Sequence, residues 1–513
     1  MKLTLINPPQ LFSETQVAAG IIPPLGLLYL TSYCKSRGYL VDFIDSVVEA
    51  PKKTNKIQSE KEYLSCRGLD FNEIIERIDI KSEVIGISNL FSFAFPIALE
   101  LSKAIKKKHP QMIVVMGGAH VSAVPIDTLK FDSIDFVVIG EGELSFVDLL
   151  DKLKNKNNDF STVDGLAYKK DSKIIVNPKI RYIKDLDSLP FLDREAVNLT
   201  KYYRAHEAHG PTQLKWTPII SSRGCPFQCT FCTAPKLWNR QFRARSAKNV
   251  VDEIEYCVKK YNIEEFHFED ENFTLDEERV WQICDEIKKR GLKIKWQTPN
   301  GIRASVTTIK TLKRMQEAGC YHVVFAPESG SARVLNEIMN KEQDLAKVTE
   351  LVRFSSKINL KTCAFFMLGL PGETKQDVKL TIAYAKKLAR LGLDEVVFSL
   401  FIPLPGSILF DSLREKGAII NNWASLVAIG DMASAKSWSE DITDKQLNRL
   451  RIKAYLIFYL NKAIFHPVKV LRMTINVIRK KQTLKTERVL ITFLKRFKYK
   501  LINKKNYAHK SIQ

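Results

Sequence analysis

Residues 224–232 read GCPFQCTFC, which places thiols at Cys225, Cys229 and Cys232. The chain has only nine cysteines in 513 residues, so three within eight positions is a concentration that calls for chemistry. The stretch follows a short apolar run, TPIISSRG, opens on Gly224 and is stiffened by Pro226. Three thiolates on one short loop can hold three irons of a cubane cluster. The next cysteine, Cys257, falls in an expected helix, which leaves the fourth iron open to a ligand, as a catalytic metal centre keeps one open position. On ligand type alone zinc is the alternative, with His206 or His209 as a fourth donor.

Working outward, the runs TPIISSRG, EEFHFED, KIKWQT, YHVVFAPE, KTCAFFMLG and DEVVFSLFIP are strand-like and alternate with long helical stretches. This pattern predicts a partial (β/α)6 barrel over residues 211–430, with its chemistry at the carboxyl ends of the strands. Those ends carry Asp270 and Glu271 in FEDENFT, Arg303 in NGIRAS, Glu328 in PESG, and Gly369, Pro371 and Gly372 in GLPGET. Carboxylates suit an ammonium, arginine suits a carboxylate, and glycine permits close backbone approach. PGET also reads as a plain turn with Thr374 capping the next helix. Arg245, in RARS, is a weaker candidate, with a plain surface residue as the alternative.

Ahead of the barrel, KLTLINPP, YLVDFIDS, EVIGISNL, MIVVMGG and DFVVIGEGE are rich in Val and Ile and stop at Gly, Pro, Asn or Asp. Helical stretches at 25–36, 71–79, 95–109 and 144–154 separate them. Residues 1–154 are therefore expected to form an α/β unit, a flavodoxin-like (Rossmann-type) parallel sheet that binds ligands beyond the carboxyl ends of its strands. Those ends are Asn7, Ser88, Asn89, Gly117, Gly118, Gly140, Glu141 and Gly142, with His120 beside the glycine pair. Residues 155–210 read as a linker with a small hairpin and no large core.

Residues 431–513 are expected to be a basic α-helical region. The formal net charge is +22, and from Lys445 to Gln513 there are 19 Lys/Arg and one acid, Glu487. The body is therefore nearly neutral. Val468, Leu471, Ile475 and Ile478 share one helical face, and Leu490, Leu494, Phe497 and Leu501 share another. Basic helices with apolar faces suit an anionic lipid interface. The alternatives are RNA phosphates, or packing of the apolar faces on the barrel with solvated lysines. MKLTLINPPQ lacks a signal-peptide layout, no run reaches about 18 apolar residues, and the odd, sparse cysteines argue against a disulfide framework. A cytoplasmic protein is expected, with residues 445–513 offering peripheral contact at the inner face of the membrane.

The CxxxCxxC spacing, with the aromatic Phe231 before the last cysteine, resembles the radical S-adenosylmethionine (SAM) enzymes. The resemblance implies a [4Fe-4S] cluster on Cys225, Cys229 and Cys232 whose open iron chelates SAM, and a 5′-deoxyadenosyl radical made by cleaving it. It implies a SAM site lined by Phe231, Asp270, Glu271, Arg303, Glu328, Gly369, Pro371 and Gly372. LINPP, PPLGLLYL, GGAHVSAVP and VIGEGE extend the likeness to the cobalamin-binding subfamily over residues 1–430, most weakly at 50–70. That implies cobalamin at the first sheet's edge residues. No DxHxxG loop is present, and several members of the subfamily likewise leave the lower cobalt face open. His120 is a candidate ligand or a helix-cap histidine.

The activity implied is cobalamin-dependent C-methylation of an unactivated carbon in an apolar lipid, isoprenoid or tetrapyrrole-like substrate, with flavodoxin or ferredoxin as electron donor. A docked enzyme could draw such a substrate from the bilayer. An oxidative, porphyrin-type cyclase is the alternative within the subfamily. A tRNA methylthiotransferase-like enzyme is a third reading, and the presence of only Cys34 and Cys66 in residues 1–200 speaks against it. A non-catalytic cobalamin or redox sensor is the fourth.

Overall fold

In the computed structural model, residues 1–11, 20–58, 63–212, 214–419, 423 and 436–494 are described. The first sheet contains β1 (Lys2–Asn7), β2 (Leu40–Asp45), β3 (Ser82–Ser88), β4 (Ile113–Gly117) and β5 (Phe136–Val138), all parallel. Two further strands, β6 (Leu166–Lys170) and β7 (Lys173–Val176), run antiparallel on its edge, giving the order β7-β6-β5-β4-β3-β1-β2. The hairpin of the 155–210 segment is thus an extension of this sheet. Leu3, Leu5, Ile6, Val84, Ile85 and Ile87 are all buried, because helices cover both faces and the inner strands must be apolar on both. On one face α1 (Leu25–Ser36) packs; α2 (Phe95–Lys108) takes the other, and α3 (Gly142–Lys154) joins the first. Chain order reverses between β1 and β3, the point where ligands bind in open α/β sheets. Residues 50–70, where the family likeness is weakest, contribute two strands of a small antiparallel sheet, Thr54–Gln58 and Tyr63–Arg67.

The second sheet is wholly parallel, in the order β8 (Trp216–Ile219), β9 (Glu265–Phe268), β10 (Lys295–Ile302), β11 (Cys320–Glu328), β12 (Lys361–Leu368) and β13 (Glu395–Leu400). Its outer helices are α4 (Ala247–Tyr261), α5 (Glu277–Lys289), α6 (Ile309–Glu317), α7 (Leu345–Lys357) and α8 (Lys375–Arg390). Each begins at a side chain that accepts a first-turn N–H: Ser246, Asp276, Thr308, Asp344 and Thr374. These caps fix where every strand-to-helix loop ends, and so hold the loops that carry the site. Outward-facing Phe266, Phe268, Val323, Phe325, Phe366 and Phe398 join the helices in one core.

The segment before the barrel is anchored to it. Arg194 is buried and donates to Thr217 Oγ1 at 2.9 Å and to Glu253 Oε1 at 2.6 Å. Arg245 donates to Glu253 Oε2 at 2.5 Å. The surface reading of Arg245 is therefore corrected: it belongs to a buried Arg–Glu–Arg triad that joins Arg194 to the 245–253 stretch.

The C-terminal region starts as α9 (Asp444–Phe465), which lies against α8 and β13 through Leu447, Ala454 and Phe458. Then α10 (Pro467–Ile478) follows. Packing on the barrel holds for α9, whereas Val468, Leu471, Ile475 and Ile478 on α10 are exposed. Leu490 and Leu494 are exposed as well, and their expected partners Phe497 and Leu501 lie outside the described residues. No helix among the described residues is long and apolar enough to cross a membrane.

Candidate active site

The cysteine loop leaves the carboxyl end of β8. Gly224 has φ +87°, and a Cβ there would stand 1.9 Å from Gln241 O, so only glycine lets the loop enter against its neighbour. Gly224 N–H donates to Glu271 Oε2 at 3.1 Å. Thr230 ties the middle of the loop down, its N–H to Met339 O at 3.0 Å and its hydroxyl to Ile338 O at 2.6 Å. Those carbonyls sit at the end of a π-helical turn, Val334–Ile338, a feature that recurs at functional sites.

Cys225, Cys229 and Cys232 are all half-buried on this loop. Burial pushes the Cys225 thiol up and the Cys232 thiol to about 11, so iron must displace protons to bind. Among the described residues no three His, Cys, Asp or Glu side chains converge on a single ion. A cubane takes each thiolate on its own iron. His209, a candidate zinc donor, is instead 2.9 Å from Glu269 Oε2. The loop's donor set fits an iron–sulfur cluster.

Around the loop the strand-end residues divide. Glu271 is exposed and touches the residue before Cys225, so it is placed to meet a ligand. Arg303 stacks on the Phe227 ring at 3.5 Å and points Nη1 at Cys229 Sγ, 3.9 Å away. Its other nitrogens are taken by Ser305 Oγ and Lys341 O. Arg303 thus sits directly on the cysteine loop. Glu328 sits at φ +64°, a left-handed conformation strained for glutamate, and receives Lys341 Nζ at 2.7 Å. The Lys341 ammonium is also 5.8 Å from the Phe231 ring. Phe231 packs beside Leu370 and Phe401 in an apolar cluster under the loop.

Two of the expected SAM contacts make hydrogen bonds within the protein. Asp270 is buried and accepts from Ser221 N–H at 2.7 Å, Ser221 Oγ at 2.5 Å and Ser222 Oγ at 2.7 Å. Burial pushes its carboxyl up, against the pull of Arg279 and these hydrogen bonds. It binds the end of β9 to the end of β8, leaving its oxygens occupied by the protein. The GLPGET stretch is a turn held from within and from the C-terminal region. Gly369 N–H donates to Glu373 Oε2 at 2.5 Å and Gly372 N–H to Glu440 Oε2 at 2.8 Å. A Cβ on Gly369 would meet Leu447 of α9 at 2.6 Å, and Thr374 caps α8 with a capping box. Pro371 lies within this turn.

The first sheet's edge meets the cysteine loop directly. Arg223, next to Gly224, donates to Glu141 Oε1 at 3.0 Å and to Glu143 Oε1 at 2.7 Å. Arg243 donates to Glu141 Oε2 at 2.8 Å, and all four side chains are buried. Burial raises the Glu143 carboxyl, but the charge and hydrogen bond of Arg223 outweigh it and the net shift is downward. Glu141 thereby forms the clasp between the two sheets. Gly140 faces the Lys179 side chain and Gly142 opens α3, so both support the clasp.

His120 is enclosed, with Nε2 buried and without a hydrogen-bond partner among the described residues. Its ring lies in the first domain's core between Phe95 and Trp423, with Nδ1 2.9 Å from Ser92 Oγ. Burial drops its pKa to about 3, so it stays neutral. The remaining edge is poor in side chains. Asn7 donates to Asp45 Oδ1, Ser88 and Gly117 are half-buried, and Asn89 is buried with Oδ1 unpartnered. Gly118 turns at φ +118°, where a Cβ would come within 2.5 Å of Asn89 O. This ledge of backbone and small residues fits a broad planar cofactor that must approach the chain closely.

Sequence reasoning missed Arg223, Arg243, Glu143, Phe227 and Lys341. Phe227 lies inside the quoted motif, and Arg223 just before it; the other three carry no sequence signal because their partners are distant in the chain.

The fold joins the edge of the first sheet to the cysteine loop of the barrel. The model for the radical SAM superfamily matches residues 219–385, and that for the B12-binding domain matches residues 15–150. An uncharacterised methyltransferase of Pyrococcus horikoshii is 31% identical over 466 residues, covering 90% of this chain and 94% of that one. The anaerobic magnesium-protoporphyrin IX monomethyl ester cyclase of Cereibacter sphaeroides is 27% identical, covering 91% and 71%. The structure of the radical SAM methyltransferase TsrM from Kitasatospora setae, with cobalamin and a [4Fe-4S] cluster bound, superposes with a TM-score of 0.63 at 18% identity, covering 81% and 78%. The chain belongs to the cobalamin-binding radical SAM methyltransferase family. It is an enzyme, and its cofactors are those of the family: a [4Fe-4S] cluster, SAM and cobalamin.

Proposed function

We propose that the enzyme methylates an unactivated carbon of a small, apolar substrate held between the two sheets. The observation that carries this reading is the clasp of Arg223 and Arg243 on Glu141 and Glu143, which sets the first sheet's carboxyl edge against the cysteine loop. When bound, the cofactors supply the electron, the 5′-deoxyadenosyl radical and the methyl group. The chain's own residues hold and shield them. Cys225, Cys229 and Cys232 carry the cluster, with Arg303 placing positive charge beside Cys229. Glu271 would take the ammonium of SAM, and Glu328 is kept in place by Lys341. Ser88, Asn89, Gly117 and Gly118 form the cobalamin ledge. A flavodoxin or ferredoxin provides the electron. The same reading puts the enzyme in the cytoplasm, with residues 445–513 available for peripheral contact at the inner membrane face.

Reconstituted enzyme, given methyl-deuterated SAM, a reductant and an apolar cell extract, should form 5′-deoxyadenosine and place the labelled methyl on carbon. The likeness to the porphyrin cyclase supports a second reading, oxidative ring formation. Formation of 5′-deoxyadenosine with loss of hydrogen from the product and no label in it would establish that reading instead.

A further inference from the structure

The C-terminal helices expose what a soluble surface usually covers. Leu456, Leu460 and Ile464 recur at every fourth residue of α9, and across the Pro467 corner Val468, Leu471 and Ile478 continue on α10. These six side chains are between 59% and 74% exposed. Monomeric soluble proteins rarely leave so many neighbouring aliphatic side chains in water. Exposed cations flank them: Lys453, Arg472, Arg479, Lys480 and Lys481. The region from Lys445 onward holds 19 Lys/Arg against one acid.

The position of this face within the fold is fixed by three contacts. Lys462 Nζ donates to Asp394 O, Lys469 Nζ donates to Gly392 O at 2.7 Å, and His466 Nε2 lies 3.0 Å from Arg390 O. Gly392 and Asp394 immediately precede β13, and Arg390 ends α8, so the α9–α10 corner sits at the amino ends of the barrel strands. The cysteine loop and the first sheet are at the carboxyl ends. A strand such as β12, eight residues long, separates the two ends by on the order of 25 Å.

We infer that the α9–α10 face docks on an anionic lipid bilayer, with the barrel's amino end toward the lipid and the cofactor cleft turned away from it. Charge complementarity selects the occupant. Cations beside an aliphatic face match anionic headgroups above acyl chains. RNA is disfavoured, because single-stranded bases are held by aromatic stacking, the exposed row is Leu, Ile and Val, and the adjacent Phe465 ring is already covered by Arg390 at 5.0 Å. The orientation departs from the simplest expectation for a docked enzyme on apolar substrates. The contact localises the protein, and substrate reaches the cleft from the side away from the bilayer. This rests on the peripheral-membrane part of the function proposed above and is independent of the reaction.

The test uses the full chain, loaded with its cluster, and vesicles of phosphatidylcholine with about one-third phosphatidylglycerol. Wild type should co-sediment with them at low salt, weaken by more than about tenfold at high salt, and ignore pure phosphatidylcholine. A variant with Val468→Ser, Leu471→Gln and Ile478→Gln should lose binding while keeping its iron content, since these side chains are exposed. A second variant, Arg472→Gln with Arg479→Gln, should bind more weakly and lose much of the salt dependence. For orientation, a fluorophore at Ile478→Cys should be quenched by lipid-borne quencher and one at Gln228→Cys, on the cysteine loop, should not. Absence of binding at low salt would overturn the inference. So would unchanged binding by the aliphatic variant, a wild-type dimer that this variant converts to monomer, or tRNA binding in place of vesicle binding. Quenching at Gln228→Cys alone would overturn the orientation.

Discussion

The carboxyl edges of the two sheets do different work with different materials. The barrel edge is built from charged and polar side chains already joined to one another: Arg303 to the Cys229 sulfur, Lys341 to Glu328, Asp270 to two serines. The first sheet's edge is built from backbone and small residues, with Gly118 wedged against Asn89. An iron–sulfur cluster needs particular ligands and a tuned charge environment, whereas a large planar cofactor needs shape and room. A side-chain site leaves a motif in the sequence. A backbone site leaves mostly glycines.

The contrast can be broken most severely at the glycine ledge. Gly118→Val adds a clash and strain worth on the order of 1–3 kcal/mol, so cobalamin affinity should fall by about tenfold or more while iron content stays constant. Equal loss of iron and cobalt would mean that the two edges are not separable. Next in size is the clasp. Glu141→Gln removes the charge facing Arg223 and Arg243 but keeps an acceptor, and Arg223 still holds Glu143, so the cost is about 1 kcal/mol. A lower melting temperature is expected, with methyl transfer reduced more than 5′-deoxyadenosine formation. Unaltered stability would show that the clasp is not a structural tie.

A smaller effect should appear at the cluster. Arg303→Gln removes a positive charge beside Cys229, so the reduction potential should fall by on the order of tens of millivolts. Titration followed by electron paramagnetic resonance reads this directly, and an unchanged potential would return Arg303 to a packing role on Phe227. The smallest is a pH effect at Glu373, buried under the GLPGET turn with Oε1 unpartnered. Burial raises its pKa from 4.5 to about 7. Between those values the folded chain binds the extra proton, so stability falls as pH rises through that window. Glu373→Gln should flatten the melting temperature in that range, and an unaltered slope would place the titration elsewhere.

Much of this was legible in the sequence. The cysteine spacing, the six barrel strands and the five parallel strands of the first sheet are local patterns, read from alternation and from Gly, Pro and Asn stops. What escaped reading depends on residues far apart in the chain. Glu141 looks like a ligand at a strand end until Arg223 and Arg243 arrive from the barrel. Arg245 looks solvated until Glu253 and Arg194 enclose it. His120 beside two glycines looks available until Phe95 and Trp423 close over it. In each case tertiary pairing, which no local pattern encodes, decides whether a polar side chain is free.

The central claim is that both edges carry their cofactors in one chain, held face to face. Anaerobic reconstitution with iron, sulfide and hydroxocobalamin, followed by metal analysis and a visible spectrum, tests it most directly. The account predicts about four irons and about one cobalt per chain, with iron lost and cobalt retained in Cys225→Ala. Iron without cobalt in the wild-type protein would contradict it, reducing the first sheet to a scaffold and removing the basis for cobalamin-dependent methylation.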